Sequence, residues 1–578
     1  MYKLNKSGRG ACPRSQLISR LIPMPGFVFG SLQFESPALE IFATQLSEVL
    51  PVLDFAEREA KAGAYVAVML SYEAAPAFDP VLAVHEPSDF PLAWAAAFTT
   101  ATDLAVNDAR LSSNSWAPRV SRNEYDNAVT RIKDLIAAGD TYQVNYSFPL
   151  TASFDGDAYA WFRTLCEAQG AQYSAYIDLD RYRVLSLSPE LFFERRGDRV
   201  VTKPMKGTVR RGRWTAEDEE LAHWLRQSAK DRAENVMIVD LLRNDLGKVS
   251  IPGTVHVSSL FELERFETVW QMTSTVESTL QDGTGLADLM TALFPCGSIT
   301  GAPKIRTMQI IRELERFPRG AYTGTIGLLK PGGDCVFNVA IRTVVIDTQS
   351  TRATFGVGGG VTIDSTAERE YEECLVKSRF LQNPAVEFQL FESMLLEEGE
   401  YFLLAEHLER LRNSAEYFGF EFPGTRINAD LGRIATENSR ESIKVRLMLW
   451  KDGRIETQIT PVELLPNLKT VGLAPESVDS SDRFLFHKTT RRRGGDALIF
   501  WNENGEVTES SVANVVIPID GELFTPPVEC GLLPGVFRNH LLAQGKLKER
   551  IITIEDFKRA KEIFLINSIR KWIRVIRG

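Results

Sequence analysis

The chain has 578 residues, more than one hydrophobic core organises, so two or more domains are expected. With 44% hydrophobic and 25% charged residues it reads as a soluble globular protein, and no stretch reaches the ~18 uninterrupted apolar residues of a membrane span. A net charge of −10 excludes a general nucleic-acid surface, because the short basic runs at Arg210–Arg211 and Arg491–Arg493 are too small to outweigh it.

The chain opens with Lys3, Lys6, Arg9, Arg14 and Arg20 and no acid, yet it lacks the continuous apolar stretch of a secretory signal. Residues 1–25 therefore read as a basic disordered tail. The six cysteines (Cys12, Cys166, Cys296, Cys335, Cys374, Cys530) form no CxxC pair, which points to reduced thiols and a cytoplasmic location. In "GAYVAVMLSYEAAPAF" a core strand runs into a turn, so residues 26–120 are expected to be an integral subdomain. "SRNEYDNAVTRIKDLIAAGD" predicts a helix: Ser121 and Glu124 make a capping box, Val129, Ile132 and Ile136 recur at helical spacing, and Gly139 ends it. Mixed strands and helices continue to residue 383, and Pro384 marks the boundary of a second domain, 384–578. There "HLERLRNSAEYFGF" is an amphipathic helix with Leu408, Leu411, Ala415 and Phe418 on one side. "DALIFWNENGEVTESSVANVVI" reads as two strands around an Asn-Gly turn. Both halves are thus of α+β or α/β class.

Several stretches carry chemistry. In "TKPMKGTVRR" Lys206 is held between Pro204 and Gly207; alone this reads as a solvated Lys-Gly turn rather than as a stiff turn that aims an amine. In "FGVGGGVTIDSTAEREYEECLVKSRFL" three glycines allow close approach of backbone N–H groups to an anion, and Ser365 with Glu368 is expected to cap a helix. On that helix Glu370, Glu373 and Lys377 share one face. Exposed, such a pair is worth only ~0.3–0.5 kcal/mol. Glu190, Glu234 and Arg342 supply further groups of the same kind. Together they suit a Mg²⁺ ion holding a carboxylate substrate, with the arginine fork taking a second carboxylate.

The ordered set "SPELFFER", "KPMKGT", "MIVDLLRNDLG", "PCGSITGAPKIRTMQII", "YTGTIG" and "GVGGGVTIDSTAEREYEECLVK" closely resembles the chorismate-utilising enzymes: anthranilate, aminodeoxychorismate, isochorismate and salicylate synthases. The resemblance covers about residues 26–382 and implies a large α+β domain, 26–383, with its catalytic core at 121–383. It also implies that Glu234 and Glu373, with Glu370, hold Mg²⁺ and that Glu190 is the general acid and base. Arg342, Lys377, Thr300, Gly301 and the run Gly358, Gly359, Gly360 would hold the carboxylates of chorismate. The water-adding members carry a lysine where Gln143 stands, and glutamine cannot deprotonate water. Anthranilate synthases have a small residue in place of Lys206, whereas aminodeoxychorismate synthases have the lysine. By that resemblance Lys206 is a nucleophile.

In the second domain "HLERL", "FHKTTRRR", "GEVTESSVANVV", "GLLPGVFRNHLL" and "EIFLINSIRKW" resemble the fold-type-IV pyridoxal-phosphate family, and "HKTT" is most similar to its 4-amino-4-deoxychorismate lyases. Lys488 would attach the cofactor and move protons, Arg410 and Ser568 would hold its phosphate, and Glu509 would keep its ring nitrogen protonated. The segment between "HKTTRR" and the hairpin is shorter than in the members it resembles, with "GGDALIF" directly after Arg493. The combined expectation is formation of 4-aminobenzoate from chorismate in two steps, in a chain that dimerises through its second domain. No cysteine sits in a Gly-x-Cys-x-Gly elbow, so ammonia would come from a separate glutaminase subunit or from solution. The alternatives are a second domain that is an aminotransferase or a non-catalytic dimerisation module, and a first domain that makes anthranilate.

Overall fold

The computed structural model describes residues 26–103, 115–382, 387–462, 470–492 and 498–578. The expected basic tail, the boundary at Pro384 and the short segment that begins at Arg493 lie outside the described residues.

The first domain is built on two ten-stranded sheets whose recorded pairings are antiparallel throughout. Period-two alternation explains how they stack. In the strand Tyr65–Leu70, Ala67 and Met69 face a core shared with Phe27, Ile177 and Val184 of the other sheet, while Val66, Val68 and Leu70 face outward. That outward face is covered by the helices Val49–Lys61 and Leu286–Leu293. The other sheet is covered on its outer side by the helices Arg122–Ala137 and Ala158–Gln169. The result is a four-layer sandwich with helices outside. Residues 27–98 supply strands to both sheets, Phe27–Phe29 and Leu32–Phe34 to one, Leu39–Ala43, Tyr65–Leu70 and Ala93–Phe98 to the other.

A buried ion cluster ties this segment to the rest. Glu73 accepts from the Arg319 and Gly320 amides, at 2.7 and 2.9 Å, and the Arg319 side chain pairs with Glu315 at 2.7 Å. Arg319 also donates to the carbonyls of Asn145 and Ile299, which places the cluster directly behind the candidate site.

Ser121 and Glu124 form the expected capping box, and the helix runs Arg122–Ala137 with Gly139 at a positive φ of 83°. The second expected box is not formed. The helix Ala367–Ser378 is preceded by Thr366, Ser365 Oγ instead donates to Glu370 Oε1 at 2.7 Å, and Glu368 pairs with Arg122. A carboxylate that lines a cavity competes successfully for the serine hydroxyl.

The second domain holds a four-stranded and an eight-stranded sheet. The helix Leu404–Phe418 buries Leu411, Ala415 and Phe418 against the former, with Leu408 at the margin of that core. The hairpin Leu498–Trp501 and Val507–Ser510 forms as expected, with Gly505 at φ 75° in its turn. No helix among the described residues is long and apolar enough to cross a membrane.

Glycine 327 illustrates how tightly the second ten-stranded sheet is filled: a Cβ there would stand 2.2 Å from the buried Phe337 ring. We predict that Gly327→Ala lowers stability by about 1–3 kcal/mol in urea denaturation. An unchanged midpoint would mean that the ring moves aside freely.

Candidate active sites

The strand Arg199–Lys203 breaks at Pro204 and resumes as Met205–Arg210. Met205 pairs with Thr273 but Thr208 pairs with Gln271, so three steps on one strand face two on the other and the surplus falls at Lys206–Gly207. Gly207 has φ +89°, and a Cβ there would meet Asp231 Cβ at 2.9 Å. The lysine therefore sits not on the expected turn but on a bulged strand, with the first turn of the helix Ala229–Gly247 packed over its glycine neighbour.

The bulge turns Lys206 into a cavity of about 550 Å³ that is also lined by Glu190, Glu234, Arg342, Glu370, Glu373 and Lys377 and by Gly358, Gly359 and Gly360. Its Nζ lies 3.4 Å from where a Cβ on Gly360 would stand. Burial pushes the Lys206 amine below its ordinary value, against the pull of Glu234 and Glu190 toward the charged form. Glu190 is 4% exposed. Burial pushes its carboxyl up to about 7, while Ser298 Oγ, donating to Oε1 at 2.7 Å, and the charge of Lys206 hold it down. Cys296 Sγ lies 3.2 Å from the same hydroxyl.

Arg342 is half-buried, has a positive φ of 49° and donates to Gln169 Oε1 at 3.1 Å. Burial alone lowers its guanidinium to about 10, with no carboxylate offsetting the cost, which suits it to an incoming carboxylate. Lys377 bonds Glu373 at 2.9 Å and the Gly358 carbonyl at 2.9 Å. The three glycines belong to the strand Arg352–Val361 and pair with Ser147, Tyr146 and Asn145. They form no open nest. Beyond Phe355 the strand is paired on one side only, so its other edge faces the cavity.

Two residues expected at the substrate do not line the cavity. Thr300 is fully buried and its hydroxyl donates to the carbonyls of Cys296 and Gly297, while Gly301 pairs with Val144; neither lines the cavity. Ser298 and Ile299 of the same loop do. Gln143 is 1% exposed, and neither Nε2 nor Oε1 has a partner within the protein. Its amide reaches the same glycine edge, 2.5 Å from a Cβ placed on Gly360.

Among the described residues no group of three or more acids, histidines or cysteines is gathered closely enough to cage a metal ion. Glu234 is 3.8 Å from Lys230, Glu370 is bonded to Ser365, and Glu373 to Lys377. Mg²⁺ does not need a cage, because it is commonly held by one or two carboxylates, waters and substrate oxygens. Three carboxylates lining one cavity fit that mode.

In the second domain Lys488, Arg410, Glu509 and Ser568 line one cavity of about 360 Å³. Burial brings the Lys488 amine down to about 7, with Arg410 and Arg492 adding to the effect and Glu392 opposing it. Arg410 is locked by the buried Glu392 through bonds of 2.8 and 2.7 Å, and His407 holds the same carboxylate at 2.7 Å. Glu509 is 5% exposed and pairs with Arg492. Lys444, Arg446, Arg492 and Arg538 also border this cavity, so it is strongly cationic and fits a phosphate ester together with carboxylates. Sequence reasoning did not single out these cations for the site, nor Ser298: Lys444 and Arg446 come from a strand without a motif of its own, and Arg492, Arg538 and Ser298 lie in motifs whose spacing does not say which side chains turn inward.

Residues 96–383 match the model of the chorismate binding enzymes, and residues 389–577 that of the amino-transferases of class IV. Over 271 residues the chain is 41% identical to aminodeoxychorismate synthase component 1 of Bacillus subtilis, which takes in 47% of this chain and 57% of that one. It is 42% identical over 283 residues to an anthranilate synthase component 1 of Haloarcula marismortui, 49% of this chain and 58% of that one. The chain therefore spans less than two thirds of the length of these curated relatives. The crystal structure of anthranilate synthase component I from Streptococcus pneumoniae shares the fold, with a TM-score of 0.54 at 24% identity over 64% of this chain and 95% of that one.

Gln143 leads to a test. An unpaired buried amide costs about 1–3 kcal/mol, so Gln143→Leu is expected to raise the melting temperature. A lower melting temperature would mean that the amide supports the fold.

Proposed function

Because residues 96–383 belong to the chorismate-binding enzymes and residues 389–577 to the class IV aminotransferases, we propose that the chain makes 4-aminobenzoate, a folate precursor, from chorismate in two consecutive steps. Overall identity does not separate the two kinds of first-domain relative, at 41% and 42%. The observation that carries the choice is the amine of Lys206, bulged into a cavity lined by carboxylates.

Arg342, Lys377 and the free edge of Gly358–Gly360 would hold the two carboxylates of chorismate. Glu234, Glu370 and Glu373 would hold Mg²⁺, which neutralises a substrate carboxylate. Lys206, as free amine, adds at C2 while both conjugated ring double bonds shift by one position and the C4–O bond breaks, and Glu190 gives its proton to the departing hydroxyl, which leaves as water. Ammonia then bonds to C4, both double bonds shift back, the C2–N bond breaks, and the surplus proton of the ammonia returns to Glu190. Lys206 leaves as the amine it was. Ammonia would come from a separate glutamine amidotransferase component, as the relatives' designation as component 1 suggests.

In the second domain Lys488 would attach pyridoxal phosphate, which supplies an electron sink for the aminodeoxychorismate it carries. Arg410, fixed by Glu392, and Ser568 would hold the phosphate, and Glu509 the pyridine nitrogen. With its pKa near 7, Lys488 can take and return a proton as pyruvate departs and the ring becomes aromatic. Two copies would associate through this domain.

The test is incubation of the purified chain with chorismate, ammonium, Mg²⁺ and pyridoxal phosphate, with products identified by mass. Formation of 4-aminobenzoate and pyruvate supports both steps. Anthranilate would overturn the first assignment, and amino-group exchange between an amino acid and a 2-oxo acid the second. Lys206→Ala is expected to lower C4 amination by at least about a hundredfold.

The pH profile provides a second check. Glu190 must be protonated to act first, and in the ligand-free protein its carboxyl is pushed up to about 7, so kcat/KM falls as pH rises through that value. Lys206 must be unprotonated, so kcat/KM also falls toward low pH. Ser298→Ala removes a donor that favours the Glu190 carboxylate, so the alkaline limb should move to higher pH. A limb that stays in place or moves down would contradict the roles given to Glu190 and Ser298.

A further inference from the structure

Six residues beyond Lys206, the same chain segment meets the second domain. Arg211 is buried, grips Asp218 through both oxygens at 2.7–3.0 Å, and donates to the Phe266 carbonyl at 3.1 Å. Asp218 also accepts from the Gly212 amide at 2.7 Å and from the Trp270 indole at 2.9 Å. Gly212 allows no other residue here, since a Cβ would meet the Asp218 amide nitrogen at 2.1 Å.

This knot is closed from outside. Tyr417, 4% exposed in the second domain's helix Leu404–Phe418, donates its hydroxyl to the Gly212 carbonyl at 2.5 Å. Its backbone carbonyl accepts from Arg211 at 3.2 Å, and its ring lies 4.4 Å beneath the Arg211 guanidinium. The opposite side of the tyrosine belongs to the other site: its ring centroid is 4.4 Å from that of His487, the residue before Lys488. Ser414, on the same helix, bonds His487 Nδ1 at 3.0 Å.

A strand with one anchored end transmits the position of that end, because its ladder fixes the residues between. Val209 and Arg210 pair with Trp270 and Val269, so the only slack between Lys206 and the knot is the bulge itself. We propose that Tyr417 is a positioning residue for Lys206, so that the first site is complete only when the second domain is docked against it. This rests on the role given to Lys206 above.

The interface also contains contacts that bypass the knot, and these serve as controls. Arg265, exposed, donates from its side chain to the Glu416 carbonyl at 2.6 Å, while its link to the knot is the backbone pairing with Trp270, which an alanine keeps. The experiment compares Tyr417→Phe and Arg265→Ala with the parent full-length chain. Steady-state kinetics of ammonia-dependent chorismate amination give kcat and KM, and the rate of Lys206 trinitrophenylation, located by peptide mass, reports the amine without turnover. Retention of the visible absorbance of bound pyridoxal phosphate shows that the second domain remains folded. Tyr417→Phe should lower kcat about fivefold or more with KM for chorismate near that of the parent, and should change the Lys206 labelling rate by a similar factor. Arg265→Ala should leave all three near the parent values. Equal labelling and kcat for Tyr417→Phe and the parent would overturn the proposal, as would equal damage from Arg265→Ala. If the parent chain makes no aminodeoxychorismate at all, the proposed function fails, and the labelling comparison alone still decides the role of Tyr417.

Discussion

A half-buried primary amine facing carboxylates is the constraint on which the chemistry proposed for the first domain depends. Burial favours the neutral amine at Lys206, and the facing acids favour the ammonium. The balance matters because a fully paired ammonium is no nucleophile and a fully isolated one is too costly to bury. Glu190, pushed toward the acid form by the same dry surroundings, is the complementary partner. One environment thus shifts an amine toward its free base and a carboxyl toward its acid form, the pairing that the proposed two-step displacement calls for.

The second cavity repeats this logic with opposite emphasis. Lys488 is lowered to about 7 by burial and by neighbouring cations, and the site as a whole is rich in arginine and lysine. Such a cluster would be unstable without fixed counter-charges. Glu392 and Glu509, both buried, anchor Arg410 and Arg492, and Glu549 pairs with Arg538. Between the cavities the Arg211–Asp218–Tyr417 knot joins the domains by directional bonds, which fixes one orientation where apolar contact alone would permit several.

Local rules made much of this legible from the residues. The Ser121 cap, the Asn504–Gly505 turn and the amphipathic face of Leu411 and Ala415 follow from spacing alone. Lys206, Glu190, Glu234, Glu370 and Glu373, far apart in sequence, were grouped through a motif resemblance and do line one cavity. What local rules missed depends on tertiary neighbours. Pro204 and Gly207 suggest a turn, yet the ladder partner Thr273–Gln271 turns that stretch into a bulge. Ser365 has the spacing of a cap, but Glu370 takes its hydroxyl. Thr300 looks like a ligand contact and is spent on its own loop, while Ser298 two residues earlier reaches Glu190. No periodicity links Gly212 with Tyr417, because domain contacts leave no repeat in a sequence.

The most direct measurement of the central claim is the titration of Lys206 itself, by ¹³C-methyl labelling and NMR of the intact chain, with Lys206→Arg to assign its signal. A midpoint clearly below the ordinary lysine value of 10.5 is predicted. Titration at or above that value would mean that the amine is an ordinary ion-pair partner, and the covalent route through C2 would have no nucleophile.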